Sequence, residues 1–247
     1  MIMQKILLMI IFISTLALGQ TADEIIKEAE DAVKGENSSA VIVMTIKTKD
    51  YTRMLEMESW WIGNNKALIV TKAPKKEAGN KTLKIGNEMW SYLHNTETTI
   101  KIPPSMMLQS WNGSDFTNDD LVRESNLNRD YDANVIAKEK IAGEESWKIE
   151  LIPKPDAPVV WGKIYYWVRK SDYLPALVQY YDEKGKMIRY MTYTDIKIFH
   201  GKILPGEWTM YSKTEDERKT MIKLKDIRFD VQIPERKFSF QELESGN

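Results

Sequence analysis

The sequence predicts a mainly β protein, a strongly curved antiparallel sheet or barrel with one helix at its start. Three observations carry this. About a dozen short segments rich in Val, Ile, Thr, Tyr and Trp follow one another between residues 40 and 230. Turn residues such as Gly63-Asn64-Asn65, Gly86-Asn87, Gly143-Glu144 and Glu183-Lys184-Gly185 stand between them. No helical period alternates with these segments, which excludes a doubly wound α/β fold.

The first nineteen residues are set apart. Met1 to Lys5 carries one positive charge, Ile6 to Leu18 is apolar, and Ala17-Leu18-Gly19 places small residues three and one positions before Gln20. This reads as a cleaved secretory signal over 1–19, followed by a single domain over 20–247. A membrane anchor is the competing reading, but the apolar run is short against the ~20 residues a span needs. The chain holds no cysteine, so neither a lipidated N-terminal Cys nor a disulfide framework is available. An exported protein without bridges points to a bacterial periplasm.

Residues 21–34 read as the one long helix. Thr21 and Glu24 form a capping-box pattern, Ile25, Ile26, Ala29 and Val33 recur at helical spacing, and Gly35 stands where a C-terminal cap belongs. From residue 40 the period becomes two. Strands are expected at 40–49, 53–62 and 66–73, then at 81–85, 88–94 and 96–102 as a tight antiparallel meander. In the second of these, Leu55, Met57 and Trp61 share one face, while Glu56, Glu58, Met54 and Trp60 share the other. After an interruption, strands are expected at 133–141, 146–152, 162–169, 176–182, 186–199, 206–213 and 218–230. The proline-rich stretch 153–158 reads as a long loop, because the pieces on either side are too small to bury separate cores. The tail 234–243, with Phe238 and Phe240, is expected on the sheet or its rim.

The interruption, residues 101–121, is the most informative stretch. Pro103-Pro104 stops the preceding strand, Met106, Met107, Leu108 and Trp111 follow, and the chain turns at Asn112-Gly113. Thr117 then caps a short helix whose first turn is acidic. So much apolar surface on a connection predicts a plug or lid over a core, or contact with an apolar partner.

Recognisable catalytic chemistry is absent from the sequence. His94 and His200 stand alone, without metal-ligand spacing, and read as strand-end residues. The carboxylate pairs Asp119-Asp120, Glu144-Glu145 and Glu215-Asp216-Glu217 fall in turns or helix starts, where solvated or dipole-capping charges are expected. Neither a Gly-x-Ser-x-Gly elbow nor a phosphate-binding glycine loop occurs. With a net charge of −1, nucleic acid is not an expected partner, and no cofactor is expected. What stands out is an inventory of thirteen methionines and eight tryptophans. These residues suit either an ordinary core or a deformable apolar binding surface.

The segment Met107-Leu108-Gln109-Ser110-Trp111-Asn112-Gly113-Ser114-Asp115-Phe116-Thr117-Asn118-Asp119-Asp120-Leu121 resembles the signature of the bacterial outer membrane lipoprotein-sorting protein family, relatives of the lipoprotein carrier LolA. The stretches Gly86 to Tyr92 and Trp167 to Pro175 also resemble family patterns. The resemblance implies an incomplete, half-open β-barrel whose concave face is covered by helices and loops and encloses an apolar cavity. It further implies a non-enzymatic periplasmic carrier of lipid or lipoprotein acyl chains, with an inner-membrane transporter of the resistance-nodulation-division or ABC type as a partner. The expected concave face includes Leu55, Met57, Trp61, Trp90, Tyr92, Trp208 and Met210, and the expected movable cover Met106, Met107, Trp111 and Phe116. The alternatives are an interaction module with a filled core that docks an export pump, and, with less support from the residues, an envelope hydrolase.

Overall fold

The computed structural model describes residues 20–33, 35–123, 127–157, 159–215 and 217–245; the expected signal segment lies outside them. Helix α1 (Ala22–Val33) opens the described chain with both halves of its capping box made. The Glu24 amide donates to Thr21 Oγ1 at 3.2 Å, and Glu24 Oε2 accepts from the Thr21 amide at 2.9 Å. Its apolar stripe, Ala22, Ile25, Ile26 and Ala29, is buried.

Thirteen strands follow: β1 (Asn37–Lys47), β2 (Thr52–Ile62), β3 (Lys66–Ala73), β4 (Lys81–Ile85), β5 (Glu88–Leu93), β6 (Thr98–Lys101), β7 (Tyr131–Ile141), β8 (Glu144–Pro153), β9 (Lys163–Arg169), β10 (Pro175–Tyr181), β11 (Met187–Phe199), β12 (Lys202–Ser212) and β13 (Lys219–Phe229). They form one antiparallel sheet in the order β6-β5-β4-β3-β2-β1-β13-β12-β11-β10-β9-β8-β7. Every neighbouring pair except β1–β13 is consecutive in sequence, which short turns make easy to form. The sheet continues across the proline-rich stretch through the β8–β9 pairing. Register shifts at Val41/Ile42, Glu56/Met57, Val135/Ala137 and Tyr180/Tyr181 mark bulges, which add local twist and bend the sheet. It stays open, because β6 and β7 are its two edges and do not pair.

Twelve of the expected strands match within about three residues, a normal scatter at strand ends. The expected strand 206–213 instead begins at Lys202, because β11 is long enough to pair with it from Phe199↔Lys202 onward. Pro205 is tolerated there, since pairing with β13 begins only at Glu207.

Two cores lie on opposite faces. The main core joins α1 to inward residues of many strands, among them Met44, Ile46, Leu55, Met57, Ile149, Val178 and Met210. The smaller one, Leu68, Val70, Leu83 and Tyr92, lies on the convex face under the C-terminal tail, whose Phe238 and Leu243 complete it. The tail forms a 3-10 turn (Glu235–Phe238) and helix α4 (Phe240–Glu244), as expected of a segment packing on the sheet.

Candidate functional site

Because β6 and β7 are the two sheet edges, the chain joining them must cross the open side of the half-barrel. Among the described residues, 102–123 and 127–130 form this strap. It contains 3-10 turns at Pro104–Met106 and Trp111–Gly113, helix α2 (Asn118–Arg123) and helix α3 (Leu127–Asp130). The Asn-Gly turn is real: Asn112 and Gly113 adopt φ of 51° and 72°, the left-handed region these residues enter most readily.

The strap is bonded to itself before it is bonded to the sheet. Trp111 N donates to Phe116 O at 2.8 Å, Asp119 N to Met107 O at 2.8 Å and Asn118 Nδ2 to Met106 O at 3.0 Å. Ser114 Oγ donates to Trp111 O at 2.7 Å and accepts from Phe116 N at 3.1 Å. A second capping box starts α2, in which Asp120 N donates to Thr117 Oγ1 at 3.2 Å and Thr117 N to Asp120 Oδ2 at 2.7 Å.

Most of its apolar residues point into the half-barrel; Leu108, 55% exposed, does not. Met107, Trp111 and Phe116 are buried in the main core, and Met106 is half-buried. Trp111 is 5% exposed, and its indole N–H reaches Thr82 Oγ1 at 3.1 Å on the inner face of β4, so the ring buries its area without stranding its donor. Below it lie Leu55 and Met57, with Met210 across the sheet; Trp61 and Trp208 pack at the margin of the same core.

Trp90 and Tyr92, expected on this face, lie on the other. The register Trp60↔Leu68↔Leu83↔Trp90 places Trp90 on the convex side, where it meets Phe240 edge-on at 5.1 Å. Tyr92 belongs to the convex core. Met89, 1% exposed, takes the inward position instead. The alternation Met89, Trp90, Ser91, Tyr92, Leu93 is apolar on both faces, so it leaves the parity of β5 undetermined.

Three arginines that the sequence reading missed hold the strap at one end of the sheet. Arg189 of β11 is 5% exposed, and its guanidinium carbon stands 4.6 Å from the ring centroids of both Trp161 and Tyr180. From that cage it donates to Asp120 Oδ2 at 2.8 Å and to Asp115 O at 2.9 Å. Arg218 donates to Asp115 Oδ1 at 2.8 Å and to Gly113 O at 3.1 Å, and Thr220 Oγ1 donates to Asp115 Oδ2 at 2.6 Å. Burial works against the Arg218 charge, but the Asp115 and Glu215 carboxylates more than offset it and raise its pKa. Arg53 of β2, paired with Glu77, donates to Asn112 O at 2.8 Å. The signal was present in part: Arg189 shares an inward register with Met191, and a charge in an apolar register needs a buried partner.

Under the strap, Met107, Trp111 and Phe116 share one core with Leu55, Met57 and Met210 of the sheet. A pocket of about 20 Å³ lies beside the strap, lined by Thr82, Ser91, Asn112 and neighbours. Another, of about 220 Å³, lies between the outer face of β2 and the tail, lined by Trp60, Ile233, Pro234 and Lys237 among others. Both fall below the 300–1,000 Å³ usual for a ligand site. Among the described residues no group of three or more His, Asp or Glu side chains could hold a metal ion. His94 opens the 3-10 turn after β5, and His200 sits in the β11–β12 hairpin with its Nε2 2.8 Å from Asp226.

A family model described as an uncharacterized protein matches residues 63–245. No protein of curated function matches the sequence. Solved structures share the fold over nearly all of both chains. A DUF1329 family protein from Desulfovibrio piger superposes with a TM-score of 0.82 at 21% identity, covering 90% of this chain and 97% of its own. A domain described as an outer membrane lipoprotein-sorting protein from Vibrio parahaemolyticus gives 0.79 at 22%, covering 91% and 98%. A LolA superfamily protein from Nitrosomonas europaea gives 0.76 at 18%, covering 90% and 99%. The chain belongs to the family whose model spans residues 63–245, and its half-open, strap-covered barrel is the LolA-like fold.

Proposed function

We propose that the protein is a non-enzymatic periplasmic carrier, exported by its N-terminal signal as one domain. It takes acyl chains of lipids or lipoproteins, or other apolar molecules, onto its concave face for transfer between envelope membranes. The observation that carries this reading is the composition of the covered face. Met44, Met57, Met89, Met107, Met191 and Met210 are all buried in one core, roofed by a strap that is closed on itself. Methionine accommodates variable apolar shapes, and a self-bonded roof can lift without unravelling. A 16-carbon chain contributes on the order of 10 kcal/mol of burial at about 0.8 kcal/mol per CH₂. The names of the structural neighbours from Vibrio parahaemolyticus and Nitrosomonas europaea agree with such a role.

The small inner pocket favours a second reading, a filled interaction module docking an inner-membrane export pump. A reversible tether separates the two. The chain has no cysteine, so Asp115→Cys with Thr220→Cys, whose wild-type side chains touch, can bind strap to sheet without side reactions. The carrier reading requires a fluorescent fatty acid to bind saturably to the reduced protein and to be excluded from the oxidised one. Equal binding in both states, or none in either, sinks the carrier and leaves the docking module.

A further inference from the structure

The convex face is covered unevenly. The tail packs on β3, β4 and Trp90 of β5, whereas the convex residues Tyr165, Tyr181, Tyr190 and Tyr211 on β9 to β12 keep part of their surface in solvent. Three of these tyrosines lie in one cross-strand row. The register Tyr165↔Gln179↔Tyr190↔Tyr211↔Lys219↔Lys47 runs straight across six strands, about 24 Å at the usual ~4.8 Å strand spacing. Tyr190 and Tyr211 stack at 4.7 Å with their planes 9° apart, and Tyr165 meets Tyr181 edge-on at 5.5 Å.

Ammonium groups are interleaved with the rings. Lys163 Nζ lies 4.7 Å from the Tyr165 centroid, Lys213 Nζ 5.1 Å from Tyr190 and Lys219 Nζ 5.5 Å from Tyr211. Lys163 faces Glu150 at 3.9 Å, but Lys213, Lys219 and Lys47 form no ion pair among the described residues. One end of the row therefore gathers three ammonium groups beside stacked phenols, on a chain whose net charge is −1.

We infer that this row binds a linear acidic polysaccharide, its carboxylates meeting Lys213, Lys219 and Lys47 and its sugar hydroxyls meeting the phenol hydroxyls along the row. The occupant follows from shape as well as charge. Strand spacing is close to the length of one sugar unit in an extended glycan, so successive units meet successive strands. A bilayer would touch a convex sheet only along a line, and none of these tyrosines stands out far enough to insert. A peptide cannot add as a strand, because these strands are already paired on both sides.

The test is titration of the mature protein with fluorescein-labelled hexagalacturonate, with maltohexaose as the neutral control. Saturable binding to the acidic oligomer alone is expected, weakening about tenfold in Lys213→Gln/Lys219→Gln and likewise in Tyr211→Ala. Thermal midpoints near wild type and unchanged fatty-acid uptake in both variants keep this result separate from folding and from the carrier reading. The inference is overturned by absence of binding up to about 1 mM, by binding indifferent to these substitutions, or by equal binding to phosphatidylglycerol vesicles or oligothymidylate.

Discussion

Replacing Asp120 by Asn tests whether the strap is a separable unit. The Asp120 and Arg189 side chains are 12% and 6% exposed, so the pair is shielded from water. Asn keeps the size and still offers an oxygen to Thr117 N, but it leaves the Arg189 guanidinium buried without its counter-charge. Breaking one side of a buried pair costs about 3–5 kcal/mol. At 1.4 kcal/mol per tenfold, strap amides should lose protection by a hundredfold to a few thousandfold, to order of magnitude. Hydrogen exchange followed by mass spectrometry reads this directly, comparing peptides across 104–123 with peptides from β1, β2 and β13. If the strap opens alone, exchange rises there, the sheet peptides stay protected, and the thermal midpoint moves little. If the strap is welded to the fold, the loss is global: every peptide exchanges faster, and the midpoint falls by roughly 2–4 °C per kcal/mol. The global outcome refutes a liftable roof, and unchanged protection refutes the latch.

Trp111 separates two functions of one side chain. Trp111→Phe loses chiefly the bond to Thr82 and about 1 kcal/mol, whereas Trp111→Ala loses about 3–5 kcal/mol yet vacates room on the concave face. Urea unfolding measures the losses, and fatty-acid uptake should rise in the Ala variant; a fall argues against displacement of the ring by a guest. Lys81, 4% exposed, donates to Glu242 O at 2.8 Å and Ser245 O at 2.6 Å, closing the end of α4. Lys81→Met should lower stability by about 1–3 kcal/mol through the stranded carbonyls, and an unchanged urea midpoint would contradict that role. The hydrogen bond from Lys237 holds the Glu242 carboxyl below its ordinary pKa. A depressed folded pKa means stability fully present above the ordinary glutamate range and lost as pH falls through the folded value. Acid titration of Trp60 and Trp90 fluorescence should therefore show the tail loosening below the glutamate range, and Glu242→Gln should remove that step.

Much of this fold could be read from residue patterns, because short-range signals fix it. Thr21 with Glu24, and Thr117 with the acidic turn after it, announced the starts of α1 and α2, and turn residues bounded the strands. The strap was legible as an anomaly: Met106, Met107, Leu108 and Trp111 are too apolar for a connection, and the structure buries Met107 and Trp111, half-buries Met106 and leaves Leu108 exposed. What could not be read were choices made over long range. Trp90 and Tyr92 sit in a strand apolar on both faces, where only the neighbouring strands settle parity. Arg218 and Asp115 meet across 103 residues and Arg189 and Asp120 across 69, separations at which the sequence carries no local trace of pairing.

The strap's two attachments differ in a way that bears on how it opens. Met107 and Phe116 satisfy the concave face by burial alone and Trp111 does so with one added bond to Thr82; burial is non-directional, so an apolar chain of similar area can replace that part of the attachment. Exchange of strap for guest then changes the buried apolar area little, and the apolar contacts contribute little to the net free energy of opening. Arg53, Arg189 and Arg218 are different. Their bonds to Asn112 O, Asp120 and Asp115 are directional, and no acyl chain can supply them. In the carrier reading the free energy of opening is therefore set by these polar contacts at one end of the sheet. Two of the three arginines meet carboxylates shielded from solvent, at Asp120 and Asp115, so moderate salt should screen them weakly while removal of a single charge acts strongly. A partner that offers its own carboxylates to Arg189 or Arg218 would release the strap without touching the apolar face. Loading by such a partner and passive uptake of fatty acid should then respond oppositely to Asp115→Asn: uptake gains from the weakened latch, while partner-driven release has less left to displace.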